Sequence, residues 1–128
     1  MGAGIFSTPL LHWLSAEHNR KLVTLESSEE YMGFARNFKT GKHEIQFVEN
    51  WDKIDILNEH WSVVLVDHGI ERRVIDTIRL KDNADYIILH DTEVGIYGYD
   101  KVWSHFKYIY HWKYEKPWTS VVSNLKTL

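Results

Sequence analysis

The chain has 128 residues, enough for one domain and too short for two ordinary ones. Apolar residues make up 44% and aromatics 14%, which excludes a disordered tail, and the lack of cysteine excludes disulfides, thiolate nucleophiles and cysteine zinc sites. A formal net charge of −3 offers no basic surface for nucleic acid, no apolar run approaches the roughly 20 residues that span a bilayer, and Met1–Phe6 lack the basic start of a signal peptide, so a soluble cytoplasmic protein is expected.

Ser7-Thr8-Pro9 predicts a helix start, with Thr8 as cap and Pro9 where a missing N–H costs nothing. Leu10, Leu11, Trp13 and Leu14 give that helix an apolar stripe, and Asn19-Arg20 ends it. Lys21–Glu26 reads as a strand. Ser27–Glu30 starts a second helix, whose early acids suit the dipole, and Tyr31, Phe34, Ala35 and Phe38 supply its buried face. Glu44–Val48 is a short strand, and Asp52 opens a weak helix through Leu57. Ser62–Asp67 is continuously apolar, as for a strand covered on both faces. Ile70–Leu80 reads as a helix, with Arg72-Arg73 on its wet side. Asp85–His90 is a second buried strand, and 99–106 reads as helical. Phe106, Tyr108, Tyr110 and Trp112 alternate with polar or aliphatic neighbours, which predicts an antiparallel edge strand. Trp118–Val122 is the last strand. Strands alternating with helices predict an α/β chain forming a single domain over 1–128. Its expected architecture is a Rossmann-like three-layer sandwich with a mostly parallel sheet and a C-terminal antiparallel hairpin.

Ligands in such sheets sit at the carboxyl ends of strands, so the polar residues there are the candidates. Gly2 and Gly4, with Ser7 at the following helix, would let a ligand approach the backbone closely. Glu26 ends the next strand 22 residues after Gly4, where an acid can bind ribose hydroxyls. The third glycine of a dinucleotide fingerprint is absent, and Ser7 stands in its place. Asn50 is suited to hydrogen-bond a base and Trp51 to stack on it, although a capped turn with Trp51 in a core fits the same residues. Asp67-His68 and His90-Asp91 each end a buried strand, so neighbouring strands would bring two carboxylates within reach of one Mg²⁺. The bland alternative is an Asp that caps the next helix. Tyr97, Tyr99 and Trp103 are candidates to line a substrate mouth.

Together these residues resemble a class I S-adenosylmethionine-dependent methyltransferase over almost the whole chain. Within that family the chain resembles the catechol O-methyltransferase-like and cephalosporin hydroxylase-like branch. The resemblance implies that Gly2, Gly4, Ser7, Glu26, Asn50, Trp51, Asp67 and His68 contact S-adenosylmethionine. It also implies that Asp67 and Asp91 hold Mg²⁺ or another divalent cation. Three departures stand out. Ile70 occupies the place of the branch's catalytic lysine, Thr92 follows Asp91 where that branch has asparagine, and the family's first, central strand has no counterpart before Gly2. His90 or His68, with Asp67, then becomes the candidate acid–base group. The expected reaction is methyl transfer to a small-molecule or sugar acceptor, by an N-terminally truncated domain that forms a homo-oligomer or takes a strand from a partner chain. The alternative is a non-catalytic remnant serving as a binding or assembly module.

Overall fold

The computed structural model describes residues 1–128. Contacts within the chain fall into two compact units, Met1–Ile54 and Asp55–Leu128. No helix is long and apolar enough to cross a membrane.

In the first unit, helix α1 (Ser7–Glu17) precedes strand β1 (Leu22–Glu26), and helix α2 (Glu29–Ala35) leads to strand β2 (His43–Phe47). A turn of 3₁₀ helix extends α2 through Phe38. β1 and β2 pair in parallel, from Leu22 opposite His43 to Glu26 opposite Phe47. A parallel pair needs a crossover, and α2 supplies it. Ala3, Met32, Ala35 and Ile45 form the small core, with Phe38 packed against it. The predicted stripe of α1 behaves differently. Leu10, Trp13 and Leu14 are exposed, and Thr8 is the one buried residue of the helix. Thr8 does not cap the helix either, because its Oγ1 accepts from the Gly4 N–H at 3.1 Å.

In the second unit, strand β3 (Trp61–Val66), helix α3 (Ile70–Arg79) and strand β4 (Ala84–His90) make one parallel crossover unit. Strands β5 (Tyr108–Trp112) and β6 (Thr119–Ser123) complete a four-stranded sheet in the order β3-β4-β6-β5. β6 runs antiparallel to both β4 and β5. Ile87, Leu89, Val66 and Val122 are fully buried and form the centre of this sheet's core. β3 is less covered than its composition suggests, since Ser62 and Val63 are exposed. All five residues of β5 are exposed, although His111 meets the Trp103 ring and the Ser120 hydroxyl.

The expected Rossmann-like sandwich with one mostly parallel sheet is therefore corrected. There are two sheets, and in the larger one only the β3–β4 pairing is parallel. Each crossover unit follows from local sequence, but no ladder joins β1 and β2 to β3. Residues 99–106, expected to be helical, form two separate 3₁₀ turns, Tyr99–Lys101 and Trp103–His105. Of the weak helix at 52–57 only the turn Trp51–Lys53 forms.

Candidate functional site

In the first unit the glycine segment lies along the end of β1. The Gly2 N–H donates to the Leu25 carbonyl at 2.9 Å, and Gly2 has a φ of 89°, which favours glycine. The Glu26 carboxylate holds the segment in place. Its Oε2 accepts from the Ala3 N–H at 2.6 Å, and its Oε1 accepts from the Ser27 and Ser28 N–H groups at 2.7 and 2.6 Å. Glu26 is buried, so its charge is spent on three backbone donors and it acts as a staple of the loop. Ser7 Oγ is buried with no hydrogen-bond partner, directly beside Gly4. A buried hydroxyl without a partner is uncommon and marks a position to explain.

At the carboxyl end of β2, Asn50 is exposed and its side chain accepts from the Asp52 N–H at 2.9 Å. It thus caps the turn that carries Trp51, which is half-buried. A shallow pocket of about 350 Å³ opens here, lined by Phe47, Glu49, Asn50, Lys53 and Ile54.

In the second unit the two strand-end pairs converge. One ligand atom each from Asp67, His90 and Asp91 lie within 4.8 Å of one another. His90 Nδ1 is 3.2 Å from Asp91 Oδ1 and 3.5 Å from Asp67 Oδ1, with neither contact aligned as a hydrogen bond. About a third of the His90 side chain is exposed, at 35%. Asp91 adopts a φ of 58°, a left-handed conformation that Asp tolerates better than most residues. That turn ends β4 and returns the Asp91 carboxylate toward the end of β3.

Between the carboxylates sits Arg73, which sequence reasoning placed on a wet surface. It is buried. Its Nη2 donates to Asp67 Oδ1 at 2.9 Å, and its Nη1 donates to the His90 carbonyl at 3.0 Å and reaches Asp91 Oδ2 at 3.4 Å. Its Nε donates to the His68 carbonyl at 2.6 Å, and the Tyr97 ring lies under it at 4.1 Å. Burial opposes the Arg73 charge, but Tyr99, Asp67 and Tyr97 outweigh it and hold the group more firmly protonated than usual. Tyr99 donates its O–H to the His90 carbonyl at 3.2 Å, and burial pushes its phenol up to about 12 against the pull of Arg73. Tyr99 is thus a buried support, with Trp103 stacked on it.

His68 points away from this cluster. Its side chain is 1% exposed, and its Nε2 donates to Asp76 Oδ2 at 3.0 Å. Burial pushes His68 below the usual histidine range, against the opposing effect of Asp76. Asp76 also accepts from Arg72 and Arg79. Burial alone would raise its acid, but donation from His68, Arg72 and Arg79 holds it below the ordinary carboxylate value. A neutral imidazole donating to a buried carboxylate packs the unit and does not face a substrate. The structure therefore gathers Asp67, His90 and Asp91, and separates His68 from them. The signal for Arg73 and Asp76 was the charge pattern of α3, where Arg72, Arg73, Asp76 and Arg79 recur at helical spacing.

No protein-family model, curated protein or solved structure matches this chain.

Proposed function

We propose that the chain binds S-adenosylmethionine and transfers its methyl group to a hydroxyl of a small molecule or sugar. The observation that carries this reading is the convergence of His90 with Asp67 and Asp91 at the carboxyl ends of two neighbouring parallel strands. His90 is the one histidine of the cluster open enough to meet an acceptor. When bound, S-adenosylmethionine supplies a methyl group on a positively charged sulfur, and the acceptor oxygen takes it as that oxygen's proton leaves. His90 receives the proton. Considered by itself, the first unit offers Gly2, Gly4 and the buried Ser7 Oγ as a place where a polar ligand group can approach the backbone. The pocket beside Asn50, lined also by Phe47 and Ile54, suits a planar group within that unit. Glu26 supports this role by shaping the loop, because its oxygens already accept from three backbone N–H groups.

That same engagement of Glu26 favours a second reading, a binding module without turnover. Calorimetric titration with S-adenosylmethionine, followed by transfer of a labelled methyl to a panel of hydroxyl acceptors, separates the two. Binding and transfer that falls in His90→Gln support the enzyme. Binding without transfer to any acceptor supports the module, and absence of heat at millimolar cofactor contradicts both.

A further inference from the structure

We propose that Arg73 is the resident cation of the Asp67–His90–Asp91 cluster and that this cluster takes no divalent metal. The inference rests on reading the cluster as the acid–base part of the function proposed above, and it corrects the metal that the family resemblance implies. Spacing alone would admit an ion, since the three side chains offer donor atoms within 4.8 Å of one another. Two of the carboxylate oxygens, however, already face a cation. Asp67 Oδ1 receives Arg73 Nη2, Asp91 Oδ2 faces Arg73 Nη1, and Asp91 Oδ1 faces His90 Nδ1.

The guanidinium is no mobile surface group that could step aside for an ion. Its side chain is 7% exposed, and five groups hold it. Two backbone carbonyls, of His68 and His90, accept from it, so both strand ends are tied to α3 through this one residue. The Tyr97 ring closes one face. The planar fork reads two carboxylates and two carbonyls at once, which a lysine's single ammonium does not reproduce. Two carboxylates set against one guanidinium leave a net charge of −1. A divalent ion would make that net charge positive while sitting beside a buried cation of the same sign. That repulsion is weakly screened where water is scarce. Arg73 therefore does what a metal does elsewhere. It holds two acids close together without their mutual repulsion opening the site.

The test uses the full chain and Mn²⁺ alone as probe. Free Mn²⁺ is measured by electron paramagnetic resonance at neutral pH. The wild type is expected to retain no Mn²⁺ up to about 1 mM, weaker than carboxylate cages built for a cation. Arg73→Met is expected to bind at least roughly tenfold more tightly, because a like charge has been removed. Arg72→Met, which alters the Asp76 network, should stay at the wild-type value. A second measurement needs no variant. The Arg73 Nε–H resonance should persist in slow exchange and remain unbroadened as Mn²⁺ is added. Wild-type binding below about 0.1 mM that is lost in Asp67→Asn, or broadening of that resonance, would overturn the inference. Equal gains in Arg72→Met and Arg73→Met would overturn it too. Calorimetry with S-adenosylmethionine in metal-free buffer keeps the two proposals apart. A null result there fails the proposed function, while the Mn²⁺ result still decides the place of Arg73.

Discussion

Replacing Asp76 by Ala should strike a heavily committed buried carboxylate of the second unit. Asp76 is fully buried and accepts from His68 Nε2 at 3.0 Å, Arg72 Nη2 at 3.0 Å and Arg79 Nη1 at 2.8 Å. Truncation leaves these donors in unequal positions. The side chains of Arg72 and Arg79 are 17% and 28% exposed, so water can partly replace the carboxylate. His68, at 1%, has no such access, and a stranded buried donor costs about 1–3 kcal/mol. Adding the lost charged hydrogen bonds and the small void gives about 3–5 kcal/mol, the usual cost of removing one partner from a buried ionic network. Asp76→Asn keeps the volume and one acceptor, and should cost roughly half as much. Amide exchange at Ile87 and Leu89, both fully buried on β4, reads the stability of this unit alone. In Asp76→Ala it should accelerate by roughly a thousandfold. Acceleration of less than about tenfold would refute the view that Asp76 holds α3 to the strand ends.

Three further outcomes follow from burial. His43 lies lowered by burial and by His12, His68 by burial, and Asp76 by its donors, so the unfolded chain binds these protons more tightly. Stability is fully present above about pH 6.5 and should fall as pH drops, first through the histidines and then below about pH 4 through Asp76; thermal unfolding that is flat between about pH 7 and 5 would contradict this. Tyr99 has the opposite sign: its raised phenol contributes stability below about pH 10 that is lost as pH rises toward 12, by about 3 kcal/mol, and Tyr99→Phe should abolish that alkaline loss in a denaturation series. Leu10→Ser and Trp13→Ser should each change folding stability by no more than about 0.5 kcal/mol, because both side chains are exposed; a loss above about 2 kcal/mol in urea unfolding would show that the face of α1 is covered.

Sequence alone located much of what lies within each unit. The strands expected at 21–26, 44–48, 62–67 and 85–90 match β1–β4 to within one or two residues, because short apolar runs bounded by polar residues leave few alternatives. The candidates Asp67, His90 and Asp91 were legible for the same reason, as the polar residues that end those strands. How units join into sheets was not legible. Hydrophobic pattern specifies which face of a strand is buried, and says nothing about which strand lies beside it. The stripe of α1 shows a related limit, since helical spacing of Leu10, Trp13 and Leu14 does not oblige that face to be covered. Arg73 and Asp76 were missed because charge was read as solvation. Their burial depends on partners brought in from Asp67, Asp91 and His68, and only the folded unit makes those pairs.

The most direct measurement is a calorimetric titration of the full chain with S-adenosylmethionine, paired with transfer of a labelled methyl by wild type and His90→Gln. Saturable binding in both proteins is expected, with transfer in His90→Gln reduced by roughly 10²–10⁴, the range for loss of a positioned base. No binding heat at millimolar cofactor, or undiminished transfer by His90→Gln, would contradict the account.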